Sequence, residues 1–158
     1  MNMTHKAVTH VSVTNDVSLI TLDNIPNKIK MIANIFTTIA KENINIDMIS
    51  QSAPYRGVIN ISFTLPDSDL MKIIKLLSRF KKDIPDLRTE VNSNNCKLSI
   101  YGQAMRDLPG VAAKLFSVLS EHNIEIKLVT TSEVDISYLI DEKDIERAME
   151  SIKEEFNI

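Results

Sequence analysis

Residues 32–46, IANIFTTIAKENINI, and residues 112–126, AAKLFSVLSEHNIEI, are one pattern written twice. Ala33/Ala113, Phe36/Phe116, Asn43/Asn123, Ile44/Ile124 and Ile46/Ile126 coincide at a spacing of 80 residues. Further on the spacing becomes 75: ISF at Ile61 matches ISY at Ile136, and Asp69 matches Asp144. The intervening turn is therefore five residues shorter in the second copy. A duplication of this kind must be recognised before any fold is assigned, because each copy has to build the same unit.

Periodicity supplies the contents of that unit. Val17 to Leu22 alternates apolar and polar residues, as a strand does, and Ala7 to Val13 alternates more weakly. Pro26 breaks the chain, and Ile32, Ile35, Phe36, Ile39 and Ala40 then share a helical stripe. Ile44, Ile46 and Met48 return to period two, as do Val58 or Ile59, Ile61 and Phe63, with a Pro/Gly turn between the two runs. Pro66-Asp67-Ser68 reads as a helix start, and Leu70, Ile73, Ile74 and Leu77 as its stripe. A short strand near Arg88 to Val91 ends the first set, and the polar run 92–95 is expected to separate it from the second. The second set repeats the order: a strand at 97–101, a stripe of Ala112, Leu115, Phe116 and Leu119, strands at 124–129 and 134–140, and a stripe of Ile145, Ala148, Met149, Ile152 and Phe156. It lacks its fourth strand, since two residues follow the last helix, while the chain carries a spare strand at Ala7 to Val13. The expectation is an α+β protein of two ferredoxin-like βαββαβ units, the first inserted into the second. The boundaries expected are residues 1–16 for the completing segment, 17–92 for the first unit and 93–158 for the second. Completion by the N-terminal strand would also cover a sheet edge.

Composition excludes several functions that this permissive fold can host. Three glycines, Gly57, Gly102 and Gly110, cannot form a Walker loop or a GxGxxG fingerprint, which argues against a complete nucleotide-using enzyme. One cysteine, Cys96, excludes an internal disulfide and any multi-cysteine metal site, and the three histidines are scattered, so no metal or cofactor is expected. A net charge of −3 argues against a general nucleic-acid binder. The basic stretch from Lys72 to Lys82 reads as the solvated face of a helix. No apolar signal core opens the chain and no apolar run spans a bilayer, so the expectation is a cytoplasmic protein with no membrane contact. Phe63 and Tyr138, one aromatic per sheet, read as core residues and not as an RNA-stacking surface. Arg106-Asp107-Leu108-Pro109-Gly110 offers an arginine for acyl-phosphate hydrolysis, with a single glycine as a weak phosphate cradle.

Four longer motifs are specific in combination. IYGQAMRDLPGVAAKLF at 100–116 resembles the VGxGMRxxPGVAAKxF run of aspartate kinase regulatory regions. VTTSEVDIS at 129–137 is similar to that family's ISTSEIxIS, and NIDMISQ at 45–51 and ISFTLP at 61–66 match its NIDMIxQ and ISFTxP. The resemblance covers nearly the whole chain and implies tandem ACT domains in the nested arrangement inferred above. It implies an allosteric feedback module that binds lysine or threonine, with the kinase chemistry residing elsewhere. The implied protein partners are a second copy of this chain, through its ACT units, and an aspartate kinase catalytic subunit or a covalently linked kinase domain. The alternatives are a scaffold subunit with decayed effector sites and an unrelated small-molecule-sensing ACT protein.

By the same resemblance, effectors sit where a loop leading into the first helix faces the start of the next strand in a neighbouring ACT unit. A helix start supplies N–H donors to the effector's carboxylate, and its ammonium needs an acidic or carbonyl oxygen. In the first copy the implied residues are Ile25, Asn27, Lys28, Ile29 and Lys30 with Asp47, Gln51 and Ser52; Asp47 is the candidate for the ammonium. In the second they are Met105, Arg106, Pro109 and Gly110 with Glu125, Ile126, Thr131, Ser132 and Glu133. Two departures stand out. The family's D-x-P-G loop has become Asn27-Lys28-Ile29-Lys30 in the first copy, and loss of the glycine hinders close backbone approach to a ligand. In the second copy Lys127 stands where the family has an acid, and it is expected to repel an ammonium.

Overall fold

A computed structural model of the chain describes residues 6–158. The part of the expected N-terminal segment at residues 1–5, His5 included, lies outside the described residues. Six strands and four helices follow in the order β1 (His10–Pro26), α1 (Ile29–Lys41), β2 (Ile49–Gln51), β3 (Val58–Pro66), α2 (Leu70–Asp83), β4 (Arg88–Tyr101), α3 (Val111–Glu121), β5 (Leu128–Thr131), β6 (Asp135–Asp141) and α4 (Ile145–Phe156). The chain divides into two compact units: Asp16–Ser93, and Asn94–Ile158 together with the described residues up to Asn15.

In the first unit the strands lie in the order β2-β3-β1-β4. β1 pairs antiparallel with β3, Leu22 opposite Ile61 and Ile20 opposite Phe63, and a bulge between Leu22 and Ile25 absorbs a register shift. Asn24 takes a positive φ of 64° in that bulge, a conformation asparagine tolerates better than most residues. The core joins Ile20, Leu22, Ile25, Ile61 and Phe63 from the sheet to Ile35 and Ile39 of α1 and Ile73, Leu76, Leu77 and Phe80 of α2. Ile74, expected in the apolar stripe, is 40% exposed; Leu76 and Phe80 take the inward positions.

In the second unit the order is β1-β4-β6-β5, with the start of β1 in the place of the fourth strand. The Thr9 N–H donates to the Tyr101 carbonyl at 2.9 Å, and Val8 is buried in the core with Leu98, Ile100, Leu115, Leu119, Tyr138 and Ile152. The first βαββαβ unit is thus inserted into the second.

The expected strand breaks require correction. Ala7 to Val13 and Val17 to Leu22 belong, from His10 onward, to one strand, β1; Arg88 to Val91 and Lys97 to Tyr101 likewise join in β4. The polar run 92–95 lies within that strand, and the division between the two units falls inside it, after Ser93; Asn95 is fully buried, and its Oδ1 accepts from Lys127 Nζ at 2.5 Å. The strands expected at 44–48 and 124–129 begin later, at Ile49 and Leu128. Ile44 and Met48 are buried as the alternation demands, yet the Asp47 and Met48 N–H groups bond to the carbonyl and the hydroxyl of Thr64, outside a regular ladder.

Candidate functional site

The second unit contains a cleft of about 540 Å³ whose lining includes Met105, Arg106, Gly110, Val111, Ala112, Thr131, Ser132, Glu133 and Ile136. One wall is the loop from β4 to α3. It leaves the strand at Gly102, whose N–H donates to the Val134 carbonyl at 2.9 Å, and makes a 3₁₀ turn over Gln103–Asp107. It enters α3 through Gly110 at φ 86°, a left-handed conformation that glycine adopts without steric cost. The Gly110 carbonyl accepts from the Lys114 N–H at 3.0 Å, closing the first helical turn. The preceding N–H groups of that turn have no partner within a helix and form a donor set for an anion.

The opposite wall is the end of β5 and the turn into β6. Ser132 Oγ accepts from the N–H groups of Val134 and Asp135 at 3.3 and 3.1 Å, so its hydroxyl shapes the turn. Thr131 and Glu133 are exposed beside it, and the Glu133 carboxylate has no hydrogen-bonding or ionic partner among the described residues. Arg106 Nε lies 3.7 Å from Asp107 Oδ2. A cleft with helix N–H donors on one wall and a free carboxylate on the other is complementary to a zwitterion.

Six of the nine residues expected in the second copy line this cleft: Met105, Arg106, Gly110, Thr131, Ser132 and Glu133. Pro109, Glu125 and Ile126 do not line it. Nor does Lys127, whose ammonium is held by Asn95 and stands 3.7 Å from Asp141 Oδ2. The Asp141 carboxyl is held below the usual carboxylate range, first by the N–H of Lys143 and also by the charge of Lys127. Asp107, Leu108, Val111, Ala112 and Ile136 were missed as cleft residues; the first four stand inside the motif at 100–116, which was the available signal.

The first unit is arranged differently. A groove of about 370 Å³ is lined by Lys28, Lys30, Met31, Asn34 and Ile35 from α1 and its cap, and by Phe80, Asp83 and Ile84 from the end of α2. Of the residues expected in the first copy it brings together only Lys28 and Lys30. Ile25 of β1 is buried in the core, and the Asn27 N–H donates to the Gly57 carbonyl. Ile29 is 77% exposed. Gln51 pairs opposite Ile61, Ser52 Oγ accepts from the Asn60 N–H at 2.9 Å, and Asp47 is exposed; none of the three lines the groove. Asp83 and Asn34 were missed, because no motif links positions that only the packing of α1 on α2 brings together.

Among the described residues no group of His, Cys, Asp and Glu is placed to hold a metal ion. No helix there is long and apolar enough to cross a membrane.

The profile of the ACT domain matches residues 23–79 and 98–156, and the chain belongs to that family. More narrowly, it is a regulatory ACT region of the aspartate kinase kind. It is 34% identical to aspartokinase 2 of Bacillus subtilis over 144 residues, 91% of this chain and 35% of that protein. It is 35% identical to an aspartokinase of Geobacillus stearothermophilus over 98% of this chain and 37% of the relative. The chain therefore spans little more than a third of these relatives. Among solved structures, a chain from the crystal structure of aspartokinase alpha and beta subunits superposes with a TM-score of 0.87 at 34% identity, covering 96% of this chain and 99% of that one. The ligand-free regulatory subunit of aspartate kinase from Thermus thermophilus gives 0.85 at 28% identity, covering 94% and 98%.

Proposed function

We propose that this chain is the effector-sensing module of an aspartate kinase, binding lysine or threonine and passing feedback inhibition to a kinase subunit or kinase domain. The observation that carries the reading is the second-unit cleft, with Gly110 and the start of α3 facing Glu133 across about 540 Å³. The effector's carboxylate takes the helix N–H groups and its ammonium takes Glu133. Binding regulates only through unequal affinity for two quaternary states, so the module acts as a homodimer or with its kinase partner.

The test is a thermal-shift panel of all proteinogenic amino acids, repeated on Glu133→Gln. Lysine or threonine at ~100 times its Kd raises stability by ~2.7 kcal/mol, and the variant loses most of that gain. Silence from both amino acids sinks the reading. It would favour the alternative of a dimerising scaffold whose sites have decayed. One observation motivates that alternative: the family's glycine is absent from the first copy, where Lys30 lies inside α1.

A further inference from the structure

The groove between α1 and the end of α2 has a chemistry of its own. Ile35, Phe80 and Ile84 form its buried floor, and Met31 a half-buried wall. Four polar side chains stand around it, and none has a hydrogen-bonding or ionic partner among the described residues: Lys28, Lys30 and Asn34 on the α1 side, Asp83 on the α2 side. The duplication supplies an internal control. At the spacings of 80 and 75 residues, Asn34 corresponds to Lys114 and Phe80 to Glu155. In the second unit those two residues form a direct ion pair at 2.9 Å, and Lys114 also lies 5.3 Å from the Phe156 ring centroid. There the pair spans the two helices; in the first unit the same place is open and its charges are unspent.

We infer that this groove is a second ligand site, distinct from the cleft at Glu133, which takes a small zwitterion with an apolar side chain, an α-amino acid of the leucine class. A simple carboxylate would satisfy Lys28, Lys30 and Asn34 but leave Asp83 facing a like charge. A simple amine would do the reverse. A zwitterion answers both sides, and the floor of Ile35, Phe80 and Ile84 answers an aliphatic side chain. The volume, about 370 Å³, lies at the small end of ligand cavities.

The experiment titrates the full chain with leucine, 4-methylpentanoate and isopentylamine by calorimetry and by NMR. Leucine binds saturably, and each half-ligand binds about ten-fold more weakly. Asp83→Asn lowers leucine affinity about ten-fold and leaves 4-methylpentanoate no weaker. The Lys28→Gln/Lys30→Gln double variant weakens leucine and 4-methylpentanoate alike. Asp83→Asn removes an acid from a helix C-terminus, where it is unfavourable, so lost binding is not lost folding. Glu133→Gln leaves leucine binding intact. The inference is overturned by no saturable binding at ~10 mM leucine, by binding indifferent to the Asp83 and lysine variants, or by binding that Glu133→Gln abolishes. Failure of lysine and threonine in the thermal-shift panel would leave this result standing, and the converse holds too.

Discussion

The two copies start their first helices from different chemistry. At 107–110 the second copy has Asp-Leu-Pro-Gly, and Gly110 turns through φ 86° before α3 begins at Val111. At 27–30 the first copy has Asn-Lys-Ile-Lys; α1 has already begun at Ile29, capped by the extended backbone of Lys28. In repeat terms α1 starts two residues sooner. A lysine in place of Gly110 would carry the strain of a left-handed backbone, so the first copy extends its helix instead. The consequence is functional as well as local. The stretch that forms one wall of a cleft in the second unit corresponds in the first to the end of β1, a two-residue connection and the first two residues of α1, and the opening there is the α1–α2 groove.

The copies also differ in how the sheet is completed, and breaking that difference gives the largest effect. The first unit takes β4 as its fourth strand, next in the chain after α2. The second must receive the start of β1 from the far end of the sequence. The segment leading into β1 passes so close to Gly102 that a Cβ there would meet the Ala7 carbonyl oxygen at 1.8 Å. Backbone atoms cannot give way as a side chain can. Gly102→Ala is expected to destabilise the second unit by roughly 3 kcal/mol or more, with early loss of hydrogen-exchange protection at Thr9 and with the first unit's core retained. Uniform loss of protection across both units would show that the two cores fold as one.

Gly110→Ala is the next test in size. Nothing lies within 4 Å of a Cβ at Gly110, so the only penalty is its φ of 86°. Strain of about 1–2 kcal/mol is expected from urea unfolding, with weakened effector binding at the cleft. The reciprocal Lys30→Gly should cost about 1 kcal/mol or less, because it only loosens the start of α1. Equal costs for the two variants would mean that the two loops are physically alike after all.

The duplication made the nested fold readable, because stripes of period 3.6 and a constant spacing survive wherever side chains face a core. The strand joins were not readable. Between residues 88 and 94 β4 buries almost nothing, so its alternation carries no apolar signal. Asn95 is buried where Lys127, 32 residues away, meets it. The same distance hid the role of Lys127 itself, which sequence position alone set against an effector's ammonium. At the site, the loop at 105–110 and the wall at 131–133 were visible through motifs. The groove of Lys30 and Asp83 was not, since only the packing of one helix on another creates it.

The smallest contrast concerns one oxygen atom. Phe63 of the first unit meets Phe36 edge to face at 6.0 Å, and Tyr138 of the second meets Phe116 at 5.5 Å. The pairs occupy equivalent positions of the two copies, and Tyr138 alone carries a hydroxyl, which is buried with no hydrogen-bond partner among the described residues. Burial pushes its pKa up to about 12. An unsatisfied buried hydroxyl costs about 1–3 kcal/mol, so Tyr138→Phe, which makes the second unit copy the first, is expected to stabilise the chain by about 1 kcal/mol at neutral pH. The alkaline behaviour has a definite sign. The unfolded tyrosine ionises near pH ~10, and the folded one near 12. The fold therefore keeps this residue's full contribution below the first value and loses it as pH rises through the second. Urea midpoints taken at neutral pH and across that alkaline interval should fall more steeply for the native chain than for Tyr138→Phe. A variant less stable than the native chain at neutral pH would mean that the hydroxyl has found a hydrogen-bond partner such as a buried water. The two aromatic pairs would then differ in more than an oxygen.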